Sequence, residues 1–292
     1  MTGRVALNCP HGAAGVISGM TPSTTYGHVC WVYDDPAALD QAARTFLTAG
    51  LAAGERLWYV TAGPVEPVVA RLTTTPALGD ALARGAAEVV SLPDTYPSGA
   101  VVDGPAQVRA YAAATEAALA AGYRGLRVVA EATPLVRTPA QLDAFTRYEH
   151  LVDRYMRARP FRAMCAYDRR EIDGRAVAEL ACLHPETNAV EAPFQLFAWD
   201  GTGHRAGLTG ELDETGEELF VTALERADLR PVDGRLVLEA PGLRFVDHRA
   251  LLRLREYACR RNSAVLLRSP LPAAARLAAL LDLPGLTVEV AR

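Results

Sequence analysis

From Gly27 onward, short apolar runs alternate with longer stretches in which apolar residues recur every three or four positions. The runs predict strands over 28–33, 56–61, 88–92, 126–130 and 162–167. The intervening stretches predict helices over 36–53, 65–72, 78–83, 107–121, 138–157 and 176–182. Pro36 suits a first helical turn, with Asp34 or Asp35 before it as cap. Strands separated by helices in this way imply a mostly parallel sheet with helices on both faces. Residues 1–27, rich in Gly, Thr, Ser and Pro, read as an irregular lead-in. Residues 184–193 carry two prolines and no apolar period, so a linker is expected there. A new rhythm begins at Phe194. Paired strands are expected over 194–199 and 204–209, then helix 214–227, strand 235–240, helix 249–261, strand 264–268, helix 273–281 and strand 286–290. The organisation expected is thus a 28–190 domain and a smaller α/β domain over 194–292, with no internal repeat.

Composition narrows the chemistry. The net charge of −4 gives no general reason to bind nucleic acid or an anionic membrane. No apolar run approaches the length of a bilayer span, and the N-terminus lacks the pattern of a secretory signal. All 30 basic residues are arginine, so no lysine is present to form a Schiff base or to reach a nucleotide phosphate. Five scattered cysteines make no disulfide framework, and a reducing cytoplasm is the expected compartment. The abundance of Arg, Ala, Leu and Pro fits a high-GC bacterial source.

Two resemblances follow from particular segments. LTGELD at 208–213, RLVLEAPGLRFVDHRALL at 235–252 and AVLLR at 264–268 together resemble the STAS domain of anti-sigma-factor antagonists. In that family a phosphorylatable serine stands at the start of the helix after the central strand. The resemblance implies an anti-sigma factor or related protein kinase as partner, and a partner surface at Asp213, Asp247, His248 and Arg249. Here the two hydroxyl positions hold His248 and Arg249, and no Ser or Thr lies between Arg244 and Arg261. No phosphorylation is therefore expected at the usual position. Asp247 alone also fits a plain helix cap.

FLTAGLAAGERLWYVT at 46–61 resembles the first helix and second strand of RecA-like ATPases. The loop that would be the P-loop reads YDDPAALD at 33–40, without glycine or lysine and with added negative charge. The fold expected is a RecA-like parallel sheet lacking a P-loop. GHVCWVYD at 27–34, LRVVAE at 126–131, RYE at 147–149, CAYD at 165–168 and HP at 184–185 resemble, in order, the MEDS sensory domain. That resemblance implies sensing of a small organic ligand.

Ligands of open parallel sheets bind beyond the carboxyl ends of the strands. Those ends carry Tyr33, Asp34, Thr61, Glu131, Tyr167 and Asp168. Glu149 interrupts the apolar stripe Leu142, Phe145, Val152, Met156 of the longest helix, so a buried carboxylate is expected that needs an arginine, a tyrosine or a ligand. The ligand-site candidates are Tyr33, Asp34, Glu131, Glu149, Tyr167 and Asp168. An internal salt bridge for Glu149, a loop-organising role for Glu131 and core packing for Tyr33 and Tyr167 remain open beside that reading. Cys9, His11, His28, Cys30, Cys165, Cys182 and His184 have no standard zinc spacing. No metal centre and no cofactor are expected, and the cysteines read as small core residues. No hydrolase, zincin or dinucleotide motif appears, so no enzyme is expected. The reading is a signalling protein that senses a small molecule or a homo-oligomer contact. The alternative is a ligand-binding or scaffolding protein with no sigma-factor role.

Overall fold

The computed structural model describes residues 27–96, 99 and 101–290. The expected lead-in, with Cys9 and His11, lies outside the described residues apart from Gly27.

The first unit contains β1 (His28–Tyr33), α1 (Pro36–Ala52), β2 (Arg56–Thr61), α2 (Val65–Thr73), α3 (Pro76–Ala83), β3 (Ala87–Ser91), α4 (Leu92–Thr95), α5 (Gly104–Ala120), β4 (Leu126–Glu131), α6 (Pro139–Ala158), β5 (Phe161–Asp168), α7 (Gly174–Ala181) and β6 (Glu186–Thr187). Its six strands lie in the order β3-β2-β4-β5-β1-β6, all parallel. Asp35 caps α1 by accepting the Ala37 N–H, and Thr138 with Gln141 forms a capping box on α6.

Part of the segment 184–193, expected as a linker, joins this sheet. β6 pairs with β1, and Asn188 extends the pairing with its side chain. Its amide accepts the Val32 N–H at 2.7 Å and donates to the Val32 carbonyl at 2.8 Å.

The second unit contains β7 (Phe194–Ala198), β8 (Arg205–Leu212), α8 (Glu217–Ala227), β9 (Arg235–Val246), α9 (His248–Cys259), β10 (Ala264–Ser269), α10 (Pro272–Leu280) and β11 (Leu286–Val290). Its sheet runs β11-β10-β9-β8-β7, parallel except for the antiparallel edge strand β7. The connections between successive parallel neighbours run through α8, α9 and α10, and α9 packs against both of the others. A ladder of ion pairs, Arg205–Glu239–Arg268–Glu289, crosses the strands of this sheet. β9 runs six residues beyond its expected end at 240, through Pro241 and Gly242, and its pairing to β8 absorbs them with two register shifts.

Strand alternation divides the core of the first sheet. Val29, Tyr59, Val129 and Met164 face α1, α2 and α3 in one buried cluster. Cys30, Val128, Cys165 and Tyr167 face α5 and α6 in the other, and that second cluster continues without a break into Phe194, Leu208, Phe220 and Leu238 of the second unit. Helix α6 is the reason. It lies on the first sheet and packs against β7 and α8 on its other side. Arg226 of α8 reinforces the contact by reaching Glu179 of α7 at 2.8 Å and Asp143 of α6 at 3.3 Å.

Candidate functional site

The six ligand-site candidates do not form one site. Tyr33, Glu131 and Asp168 stand an even number of residues from Val29, Val129 and Met164 and so share the face toward α1, whereas Tyr167 and Glu149 lie on the α6 face. The sheet stands between the two sets. Glu131 and Glu149 therefore cannot act as an acid/base pair on one substrate.

On the α1 face, Glu131 sits at the crevice where β2 and β4 send their connections in opposite directions. Its carboxylate accepts the Tyr59 hydroxyl at 2.8 Å, the Thr61 hydroxyl at 3.2 Å and the Ala62 N–H at 2.8 Å. It ties the carboxyl ends of β2 and β4 together. Tyr33 is half-buried nearby, and burial followed by the charge of Glu131 pushes its phenol up. Asp168 is held below the usual carboxylate range by its hydrogen bond to Arg170. Asp34 is exposed, and the cap is Asp35. The carboxylate of Asp35 at the start of α1, followed by Pro36, fills the place where a phosphate would need free N–H groups. Replacing Glu131 with Ala removes three hydrogen bonds at a half-buried position. A loss of about 1–2 kcal/mol in urea unfolding is expected.

On the α6 face, Glu149 and Asp153 stand one helical turn apart, both fully buried. His28, at the start of β1, lies between them, with Nε2 3.0 Å from Glu149 Oε2 and Nδ1 3.3 Å from Asp153 Oδ1. Tyr167 donates to Glu149 Oε1 at 2.8 Å, and the Cys165 thiol faces Glu149 Oε2 at 3.6 Å. His184, in the turn after α7, brings Nε2 to 3.6 Å from the same oxygen, and its ring lies 4.2 Å from that of His28. Arg157 approaches Asp153 at 3.8 Å. Burial by itself would neutralise His28, but its bonds to Asp153 and Glu149 outweigh that and raise it to about 9. His184 is pushed down to about 4 by burial and then by the charge of His28. Burial opposes ionisation of Glu149 and Asp153, yet the imidazoles and their hydrogen bonds hold both below their usual range. The cluster thus balances two carboxylates against one imidazolium and one guanidinium.

Glu149 was legible as a charge inside an apolar stripe. Asp153 was missed, although it stands four residues further along the same helix face. The sequence reading expected no metal centre. The structure nevertheless brings together four side chains able to ligate one, His28, Glu149, Cys165 and His184.

In the second unit, Asp213 caps the short helical turn after β8, accepting from Thr215 and Gly216. Asp247 caps α9, accepting the Ala250 N–H at 2.8 Å, and its own N–H donates to the Leu212 carbonyl. That bond sets the two loops side by side. His248 and Arg249 are exposed, and Arg249 lies 3.6 Å from both Glu214 and Glu217. The four residues expected at a partner surface therefore share one end of the second sheet.

The sequence model of the MEDS family, the methanogen/methylotroph, DcmR sensory domain, matches residues 27–185. The chain belongs to the MEDS family. The matched region spans β1 to the turn holding His184 and so contains the whole α6-face cluster. No curated protein and no solved structure matches the chain. No match supports the STAS resemblance of residues 194–292. The MEDS family is a sensory one, which fits a sensing role. No described helix is long and apolar enough to cross a membrane.

Proposed function

We propose that this chain is a non-catalytic signalling protein. A small organic ligand or an oligomer contact acts on the MEDS domain, and the second unit, read as STAS-like, binds an anti-sigma factor or related protein kinase through Asp213, Asp247, His248 and Arg249. The observation that carries this reading is the position of α6. Its Glu149 engages His28 and Tyr167 of the first sheet. Its Asp153 engages His28 and also accepts the Ala198 N–H of the second unit at 2.7 Å. Arg154 donates to the carbonyls of Ala227 and Asp228 at the end of α8. A displacement of α6 by an event in the first sheet is therefore passed to β7 and α8 directly, through a contiguous chain of contacts.

Further observations support the reading. The order β8-α8-β9-α9-β10-α10-β11 carries the STAS-like motifs at the ends of β8 and β9. Phe245, an aromatic 49% exposed, is the penultimate residue of β9, three positions before His248, and offers an apolar contact for a partner. With Arg249 in place of a hydroxyl, the gate has to come from elsewhere, and the MEDS domain is joined to this unit by a shared core. The closed phosphate position at α1 and the separation of Glu131 from Glu149 support a non-catalytic role.

The test is a pull-down of candidate anti-sigma factors and kinases by the full chain and by a His248→Ala, Arg249→Glu double variant. Reversing one exposed charge and removing its neighbour is expected to weaken capture about tenfold or more. Equal capture by the variant, or no capture by either chain, would sink the partner assignment.

A further inference from the structure

We propose that His28, Glu149, Cys165 and His184 bind one divalent transition-metal ion, with zinc the best match. Four ligand atoms, one from each residue, lie within 4.8 Å of one another, and all four residues are buried. Glu149 Oε2 lies 3.0 Å from His28 Nε2, 3.6 Å from His184 Nε2 and 3.6 Å from Cys165 Sγ. Zinc bonds of about 2.0–2.1 Å to nitrogen or oxygen and 2.3 Å to sulfur give tetrahedral edges of roughly 3.3–3.6 Å. The three spacings to Glu149 Oε2 fall within about 0.3 Å of these edges, and the remaining ones, all within 4.8 Å, close by side-chain rotation as the ion binds.

The hydrogen bonds around the set already orient it. His184 Nδ1 lies 2.9 Å from the Leu180 carbonyl, and only an N–H can bond there. Its Nε2 is then a bare lone pair, fully buried, with no hydrogen-bond partner, aimed at the cluster. A buried acceptor facing a carboxylate is costly unless a cation stands between them. His28 differs in that its Nε2 already meets Glu149 Oε2 at 3.0 Å, so a metal bound there would displace the Nε2 proton. Its Nδ1 faces the Asp153 carboxylate, which leaves Nε2 directed at the same point. This is how ligating histidines are held, with the other ring nitrogen bonded to a carboxylate or a backbone carbonyl. Glu149 completes the pattern, since Tyr167 occupies Oε1 and leaves Oε2 for the metal.

The donor set selects the ion. Two imidazoles, one thiolate and one carboxylate suit zinc or a neighbouring first-row ion and disfavour magnesium and calcium, which take oxygen ligands. One thiolate and one carboxylate balance a dication, so the buried site closes neutral. Four protein ligands from β1, α6, β5 and the turn after α7 would pin α6 to the first sheet. The site does not depend on what the second unit binds.

The test uses the full chain, produced in medium supplemented with zinc or cobalt and purified under reducing conditions. About one equivalent of metal per chain is expected. The cobalt form should show the visible bands of a tetrahedral ion and a near-ultraviolet thiolate-to-metal charge-transfer band. Cys165→Ser should abolish that band. Cys30→Ala should keep it, because the Cys30 sulfur is not among the four converging atoms. His184→Ala should lower metal affinity about tenfold or more. Should a variant fail to fold, the wild-type spectrum still decides. A folded, reduced wild-type chain that holds no stoichiometric metal overturns the site. So does a thiolate band that survives Cys165→Ser in folded protein, which would mark the metal as adventitious.

Discussion

Replacing Asp153 with Ala is expected to lower the unfolding free energy by about 3–5 kcal/mol, the range for removing one member of a buried ionic cluster. Asp153 is fully buried and serves three groups. It faces the His28 ring at 3.3 Å, accepts the Ala198 N–H at 2.7 Å and lies 3.8 Å from Arg157. Alanine leaves a buried imidazole short of its counter-charge and a buried N–H of β7 without an acceptor. Asp153→Asn keeps the shape and one acceptor oxygen, so it should lose clearly less. Urea unfolding with unchanged slope measures both. A loss below about 1 kcal/mol for the alanine variant would show that α6 is not fastened to the second unit in this way.

Gly210→Ala is the second large expected effect, a loss of about 3 kcal/mol by the same measurement. Gly210 has φ +93, a conformation that strains residues with a side chain by about 1–3 kcal/mol. A Cβ there would stand 2.3 Å from the Pro193 carbonyl oxygen and 2.7 Å from Phe194 Cα, both backbone atoms that cannot step aside. Overpacking of that kind adds about 1–3 kcal/mol. The glycine stands at a register shift of β8, where the chain enters from the first unit and Pro193 accepts the Glu211 N–H. It is the glycine of the LTGELD segment, so that motif has a local structural reason besides its resemblance. A change under about 1 kcal/mol would mean that the crossing of β8 and the entering chain relaxes freely.

The regular elements were legible because each carries its own period. The strands 28–33, 56–61 and 286–290 match their expected limits, and the long helices agree within a few residues. The misses have physical causes. β6 is two residues long, too short for any period, and Asn188 continues it with a side chain rather than with backbone. β9 passes through Pro241 and Gly242, which read as a strand end, because register shifts take up the irregularity. In the ligand site, residue type and strand position placed Tyr33, Glu131 and Asp168 at the carboxyl edge but not on which face. The alternation of β4 and β5 settles that, and it separates Glu131 from Glu149. The convergence of His28, Cys165 and His184 on Glu149 had no local spacing to announce it, since the four residues come from separate elements.

The shared α6 also bears on what the family boundary at residue 185 means. Family resemblance marks where a sequence stops being similar; it does not mark where water begins. Here the apolar surface beyond that boundary is the inner wall of the same core. The chain is thus two sheets by strand pairing and one core by solvation. Helix α6 sits where the two sheets meet and shields part of each from water.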